Sequence, residues 1–441
     1  MLLLQTSEKD KFLVSKTFLI GLAFFTTGIA WSMYNTQVNI MLFEYLASYA
    51  LVGAWMAMDN VVGIILQPIM GSKSDNTRTR LGRRIPYLII GVPSAAFFFL
   101  LIATINTATD PLWLLLLWMF FFNVSMGFYR SQAVALMPDF IIPIHRSKGN
   151  AIINLMGGVG AIIAYGLNFL VVPYSLFLAF ALVSIIMVAS LIVMLLTIKE
   201  TESFAFQQIL ELEAREGKKV KTEKKAKPGL IESFQDILAE EDKSTLFMLI
   251  AIFSWFVGYQ ALEALFSIYA VDVLGLERGF AGGLLLFVAV PFILMAIPAG
   301  IISPKIGRRT SIKIGLILFI TANFIIFLNP NVVIIIIFFI IAGCGWALIN
   351  INSIVIVWEM APNEKKIGTY TGVYYFFSFL AAILGPFLVG IFVDFMGNIY
   401  LFLICNVFFI AALVFMFLVR RGEAQLTEEQ KSAKQKAIRD I

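Results

Sequence analysis

Long apolar runs separated by short polar segments recur along the whole chain, and most are long enough at about 1.5 Å per residue to cross roughly 30 Å of hydrocarbon. The pattern places them at 18–41, 47–71, 87–104, 112–137, 151–172 and 175–198, and then at 245–271, 280–302, 312–328, 332–357, 369–393 and 400–419. Twelve transmembrane helices are therefore predicted: an all-α integral membrane fold in two pseudo-symmetric six-helix bundles. The expected divisions are 1–198 for the first bundle, 199–243 for a cytoplasmic linker, 244–420 for the second bundle and 421–441 for a cytoplasmic tail. Within the linker, Leu230, Ile231, Phe234, Ile237 and Leu238 recur at helical spacing among Glu232, Asp236, Glu240 and Glu241. That spacing predicts an amphipathic helix on the inner leaflet, next to a basic solvated stretch at 215–227.

Composition agrees with the pattern, since 60% of the 441 residues are apolar and only 14% are charged. A bilayer suits such a chain better than water does. The net charge of +5 does not point to nucleic acid, because Lys and Arg collect in alternate loops. Lys73, Arg78, Arg80, Arg83 and Arg84 follow the second run, and Lys305, Arg308, Arg309 and Lys313 follow the eighth. The loops between hold Glu44, Asp110, Asp272, Glu277 and Asp394, with Arg278 as their one basic residue. Positive loops face the cytoplasm, so both termini are expected inside a cell membrane. Residues 1–16 are short and mixed in charge, which predicts an uncleaved first helix. Cys344 and Cys405 lie in apolar runs without metal spacing and read as core.

The halves repeat. Gly300, Pro304, Lys305, Gly307, Arg308 and Arg309 match Gly71, Asp75, Gly82, Arg83 and Arg84, with four extra residues in the first copy. Pro143, Arg146 and Gly149 match Pro362, Lys365 and Gly368. Trp31, Asn35 and Asn39 stand at one constant offset from Trp255, Tyr259 and Glu263. Parallel repeats of this kind suit a transporter that rocks two bundles about a central site.

The loop after the second run resembles the Gly-x3-Asp-[Arg/Lys]-x-Gly-Arg-[Arg/Lys] element of the major facilitator superfamily, and the likeness covers nearly the whole chain. The block Gln67–Gly71, Ser74–Arg78 and Arg80–Tyr87 is similar to the glycoside-pentoside-hexuronide cation symporters, above all their sucrose-transporter-like branch. That resemblance implies sugar uptake coupled to a cation, usually a proton. The melibiose-permease branch carries sodium-coupling carboxylates one and five residues before the matching proline, whereas Gln67 and Gly63 stand here. Pro304 occupies the acidic position of the second loop, so an Asp-based contact is expected from the first loop alone.

Ionisable side chains in mid-membrane are costly, by roughly 2.5–3.5 kcal/mol on insertion scales, and usually line a cavity or pair with one another. Asp59, Arg130 and Glu263 qualify as ion-coupling candidates. Asp59 is about 18 Å above Gly71 and Arg130 about 12 Å above Pro138, a difference that an Arg side chain spans. The two form either a pair that changes with protonation or a static bridge between helices. Trp255, Tyr259, Glu263 and Ser267 fall at four-residue steps and make one stripe. Trp31, Asn35 and Asn39 repeat the arrangement, and Asn154, Asn350 and Tyr374 complete the candidate substrate-binding set. Indole faces and amides suit a pyranose ring, although ordinary helix packing by polar residues gives the same pattern. Gly71, Asp75, Gly82, Arg83, Arg84, Asp139 and Arg146, with Gly307, Arg308 and Arg309, are candidates for a cytoplasmic gate; their basic members also set topology.

No Gly-x4-Gly-Lys-[Ser/Thr] sequence is present, so gradients rather than ATP are expected to drive any cycle. The sole histidine, His145, lies in a loop, and proton coupling then falls to a buried carboxylate. No cofactor, metal or catalytic residue is expected. The leading reading is a monomeric, proton-coupled symporter of a sugar-like small molecule; the alternative is a proton-coupled exporter of drugs or other metabolites. A membrane sensor of transporter ancestry fits less well with charges retained at Asp59, Arg130 and Glu263.

Overall fold

A computed structural model of the protein describes residues 14–142, 145–216, 234, 237–361 and 366–423. It contains twelve helical spans: Val14–Leu46, Tyr49–Asp75, Ile85–Ile102, Leu112–Phe140, Lys148–Leu170, Leu176–Thr197, Ser244–Asp272, Arg278–Ile306, Arg308–Leu328, Val332–Met360, Thr369–Met396 and Asn398–Leu418. They are called the first to twelfth spans below. Hydrocarbon offers no partner for a backbone N–H or C=O, so a helix that bonds to itself is the way for one segment to cross. Among the described residues there is no strand beyond one isolated bridge between Thr79 and Gly82. A further helix, Phe204–Glu216, follows the sixth span.

Two spans are interrupted where the sequence pattern predicted continuous helices. The second consists of Tyr49–Met56 and Met58–Asp75, which meet at Ala57. The eighth consists of Arg278–Gly283 and Leu286–Ile306. Its first piece contains Gly279, Gly282 and Gly283, and a Cβ on Gly279 would stand 2.7 Å from the Asn168 carbonyl oxygen. Glycine is used there for close approach to the fifth span, at the expense of helix propensity. Arg278, which the sequence pattern leaves in a loop, opens this piece.

The chain divides into two compact units. The first comprises Met1–Ala47, Met58–Lys224 and Glu277–Gly283; the second comprises Ser48–Ala57, Lys225–Leu276 and Leu284–Ile441. Tyr49–Met56 of the second span thus packs with the second half of the sequence, and Arg278–Gly283 of the eighth with the first half. Of the predicted linker helix, only Phe234 and Ile237–Ala239 fall in the described helical residues; Leu230, Ile231, Glu232 and Asp236 lie outside them. Ile237 is buried, and the Phe234 ring stacks on Phe377 of the eleventh span at 6.0 Å. This end of the linker therefore packs on the protein.

Within lipid, helices gain little from the hydrophobic effect and associate through close contact, which favours small residues at their crossings. The first and fifth spans show this most sharply. A Cβ on Gly28 would lie 2.1 Å from the Gly157 carbonyl oxygen, and one on Gly160 would lie 2.7 Å from the Phe25 oxygen. Gly28→Ala must push the two backbones apart, and overpacking of this sort costs about 1–3 kcal/mol. Gly166, with nothing within 4 Å of its would-be Cβ, supplies the control. Thermal unfolding in detergent should place Gly28→Ala clearly below the parent and Gly166→Ala at or above it. Equal melting of Gly28→Ala and parent would show that this contact is not tight.

Candidate functional site

The loop after the second span turns on Gly82, whose φ of 113° favours glycine. The turn sends Arg83 and Arg84 back beneath the helix ends. Arg83 Nε donates to Asp139 Oδ2 at 2.9 Å, and Arg84 Nε donates to the same oxygen at 3.0 Å. Arg83 Nη2 also reaches Asp139 Oδ1, and Arg84 reaches the Asp75 carboxylate and the Ser74 hydroxyl. All three central side chains are buried, so each charge is answered by an opposite one. Four of the candidate gate residues, Asp75, Arg83, Arg84 and Asp139, therefore form one network with Gly71 and Gly82 at its edge. Arg146 begins the helix that continues into the fifth span, and its side chain lies outside the described part.

Glu200, which the sequence pattern did not single out, completes this cluster. Its carboxylate accepts from the backbone N–H groups of Arg83 at 2.9 Å, Arg84 at 2.8 Å and Ile85 at 2.8 Å. These are the free donors that open the third span, so Glu200 caps that helix from a distance in sequence. The second half repeats the device with Glu423, which accepts from Arg308 N at 3.0 Å and Arg309 N at 2.9 Å. Gly307 has a φ of 98° there, and Arg308 pairs with Glu359 at 3.2 Å. Arg309 turns to Glu423 and to the carbonyls of Val419 and Arg420. The sequence signal was available, since Glu200 follows the sixth span as Glu423 follows the twelfth.

Within the second span, Asp59 lies in the first turn of Met58–Asp75, just beyond Ala57. A carboxylate is favoured there because a helix start presents unpaired N–H groups. Asp59 Oδ1 accepts from Asn60 N and from Asn60 Nδ2, each at 2.6 Å. Arg130 of the fourth span interacts electrostatically with Asp59 and with the Tyr129 hydroxyl. Asp59 and Arg130 are both half-buried. Tyr34, also within the electrostatic reach of Asp59, accepts from Asn123 Nδ2 at 3.3 Å.

The aromatic candidates separate by environment. In the first unit, Trp31 meets Tyr34 and Phe122 edge-on, each at 5.6 Å, and is half-buried with an unpartnered indole Nε1. Asn35 is half-buried, while Asn39 is buried with its side-chain oxygen accepting from Ile40 N at 2.7 Å. Asn154 is exposed and donates to Asn150 O of its own helix at 2.9 Å. In the second unit, Tyr259 stacks on Trp346 at 3.8 Å with an interplanar angle of 1°. Trp255 and Ser267 have no exposed surface, so the middle of the seventh-span stripe, Tyr259 and Glu263, is its half-buried part. Trp255 is thus enclosed packing in this structure, with its Nε1 unpartnered. Asn350 is half-buried, and Tyr374 is buried with its hydroxyl 3.0 Å from Ser353 Oγ. Trp346 carries no repeat signal in the sequence and was not foreseen.

The Major Facilitator Superfamily family model matches residues 20–292 and 281–440. The chain belongs to that superfamily. It is a multi-pass membrane transporter, not an enzyme, and its work is done on a small molecule within a bilayer. No curated protein matches it in sequence. A crystal structure of a point mutant of the nucleoside transporter NupG is similar at 12% identity with a TM-score of 0.70, covering 92% of this chain and 100% of that one. A bacterial homolog of the human lysosomal transporter Spinster, inward-facing and occupied, shows 16% identity and a TM-score of 0.64 over 92% of this chain and 95% of its own. A POT-family transporter crystallised with 5-aminolevulinic acid shows 13% identity and a TM-score of 0.66 over 92% and 96%. At such identities the likeness concerns the fold.

Glu200 lies outside the spans and is buried, and that burial raises its carboxyl pKa, partly offset by the three backbone donors. A carboxyl whose folded pKa exceeds its unfolded value of about 4.3 contributes most below that value and less as pH rises through the raised one. Melting temperature should therefore decline across this interval more steeply in the parent than in Glu200→Gln, where nothing titrates. Parallel melting curves against pH would remove Glu200 from the set of buried charged caps.

Proposed function

We propose that the protein is a proton-coupled symporter that brings a sugar or glycoside into the cell by alternating access. The observation that carries this reading is the half-buried Asp59 within electrostatic reach of the Arg130 guanidinium, in a chain whose one histidine lies outside the spans. A carboxylate there is answered by Arg130 when charged. Once protonated, it leaves Arg130 without its counter-charge, and the lowest-energy geometry of the two helices changes. Glu263, half-buried on the seventh span, is the second coupling candidate.

The sugar assignment rests on the resemblance of the Gln67–Tyr87 block to the sucrose-like symporters and on half-buried groups suited to a polyol. Trp31 and Tyr259 offer ring faces, and Asn35 and Asn350 offer amides. The buried network of Asp75, Arg83, Arg84 and Asp139, with Arg308, Arg309 and their acidic partners, acts as the cytoplasmic gate. The Lys and Arg bias of those loops puts them, and both termini, on the cytoplasmic side of the plasma membrane. The working unit is a monomer.

A second reading, an exporter of organic cations, draws support from the aromatic cluster of Phe256, Tyr259, Trp346 and Tyr374 on the unit that carries Glu263. Aromatic faces attract cations as well as sugars. Thermal shift of the purified protein against a panel of sugars, glycosides and lipophilic cations separates the readings, because binding to the folded state raises apparent stability. Stabilisation by cations alone would overturn the sugar assignment.

The coupling role is tested by Asp59→Asn, which mimics the protonated side chain. In proteoliposomes this variant should still exchange labelled for unlabelled substrate and fail to concentrate it under an imposed pH gradient. Accumulation at the parental level would move the coupling site elsewhere, with Glu263 the next residue to test.

A further inference from the structure

We infer that Asp394, at the outer end of the eleventh span, is the catch that holds the outer piece of the second span, and that transport requires this catch to open and close. The loop pattern has a third copy in the chain. Gly390, Asp394 and Gly397 repeat the spacing of Gly300, Pro304 and Gly307, at the opposite end of the bundle. The conformation repeats too: φ is 116° at Gly397, beside 98° at Gly307 and 113° at Gly82. The outer loop carries an acid at the position where the second inner loop has lost it.

That acid meets a helix start. Asp394 accepts from Ser48 Oγ at 2.6 Å, from Tyr49 N at 2.8 Å and from Ala50 N at 3.0 Å. It thus answers free donors at the start of the helix Tyr49–Met56, while Ser48 caps Leu51 N at 3.2 Å. The approach is close enough to exclude side chains. A Cβ on Gly390 would lie 2.6 Å from Ala50 backbone atoms, and one on Gly53 would lie 2.4 Å from the Pro386 oxygen. Asp272 adds to the contact by accepting from the Tyr49 hydroxyl at 3.2 Å and from Asn398 Nδ2 at 2.5 Å.

Connectivity turns this contact into a catch. The captured piece belongs to the second unit, yet at Ala57 it continues into Met58–Asp75, which belongs to the first. Displacement of Met58–Asp75 along its own axis must therefore pull on the Asp394 contact or bend the chain at Ala57. The eighth span mirrors the arrangement with different chemistry. Its outer piece belongs to the first unit, where Arg278 Nε donates to Gln37 Oε1 at 3.0 Å while Gln37 Nε2 donates to the Arg278 carbonyl at 3.0 Å and to Asn168 Oδ1 at 2.6 Å. One catch is held by a carboxylate on a helix start and the other by an amide and a guanidinium.

The inference requires a transporter that alternates between two sides; it does not depend on the substrate or on proton coupling. Its test uses the full chain with Cys344 and Cys405 replaced by serine and a reporter cysteine at Val52, which is fully buried on the captured piece. Reconstituted protein is treated with a membrane-impermeant thiol reagent on one side at a time. Asp394→Asn should raise the labelling rate of the reporter about tenfold, the scale of one charge-assisted hydrogen bond. Asp394→Glu, which keeps the charge, should recover at least part of the slow rate. Hydrogen exchange at the amides of Tyr49 and Ala50 should rise in Asp394→Asn in parallel.

Labelling in these variants should come from the side opposite the Lys- and Arg-rich loops. Fast labelling from the other side would overturn the proposed orientation and leave the catch standing. Unchanged labelling and exchange in Asp394→Asn, with parental melting, would overturn the catch. If Asp394→Asn lowers melting without faster labelling, or if Asp394→Asn and Asp394→Glu behave alike in both readouts, the contact is a static structural cap and the inference fails.

Discussion

Hydrocarbon cannot satisfy a backbone hydrogen bond, and this one constraint decides where the chain can depart from regular helix. Three helix starts in the described residues lie beside a distant carboxylate that supplies the missing partner. Glu200 answers the start of the third span, Glu423 the start of the ninth, and Asp394 the start of the second. All three are carboxylates at helix starts, where an acceptor charge is favoured by the aligned peptide dipoles. The groups that finish the helices are therefore charged, and they are held in place by what they finish. A loop that would be free to vary in a soluble protein is tied here to a distant residue.

The repeat between halves makes this arrangement visible, and its failures are as informative as its matches. The loops after the second and eighth spans both turn on a glycine of positive φ and carry a pair of arginines, but Arg83 and Arg84 share Asp139 whereas Arg308 meets Glu359 and Arg309 meets Glu423. The first half adds Asp75, so Arg84 is shared between two carboxylates and enclosed. In the second half Pro304 replaces that acid, and Arg309 turns to main-chain oxygens of Val419 and Arg420. The two inner ends consequently differ in strength: the first is a buried ionic cluster and the second is partly open to screening by water.

Much of this was legible in the sequence, and the rest was hidden for definite physical reasons. Twelve apolar runs, the internal repeat and the Gly-Arg-Arg loops are local or periodic signals, so the fold followed from them; Asp75, Arg83, Arg84 and Asp139 stood out as charged loop residues, but that Asp139 meets Arg83 and Arg84 is visible only in the structure. Asp59 and Arg130 were placed together by depth alone, and the structure brings them within electrostatic range. Glu200, Glu423, Asp394 and Trp346 were missed because each acts on a segment far away in sequence; Glu200 and Arg83 are separated by 117 residues. The broken second and eighth spans were missed for another reason. Hydropathy is averaged over a window, and an interruption at Ala57 or at Leu284 and Leu285 leaves the average unchanged. Trp255 read as a ligand platform because a four-residue stripe has the same spacing whether it faces a cavity or a neighbouring helix; its full burial assigns it to the latter in this state.

The second span draws these threads together. Its 27 residues carry Asp59 just past the interruption and Asp75 at the inner end, and its outer start lies on Asp394. At about 1.5 Å per residue the three carboxylates address points spread over roughly 40 Å of one element. A rigid rod would force its two ends to move together. The interruption at Ala57 relaxes that demand, since a helix bends most readily where its ladder is broken. Asp59 occupies the first turn after that point, and its charge is felt by Arg130 on a different span. The charge of Asp59 therefore acts where the two pieces of the span join.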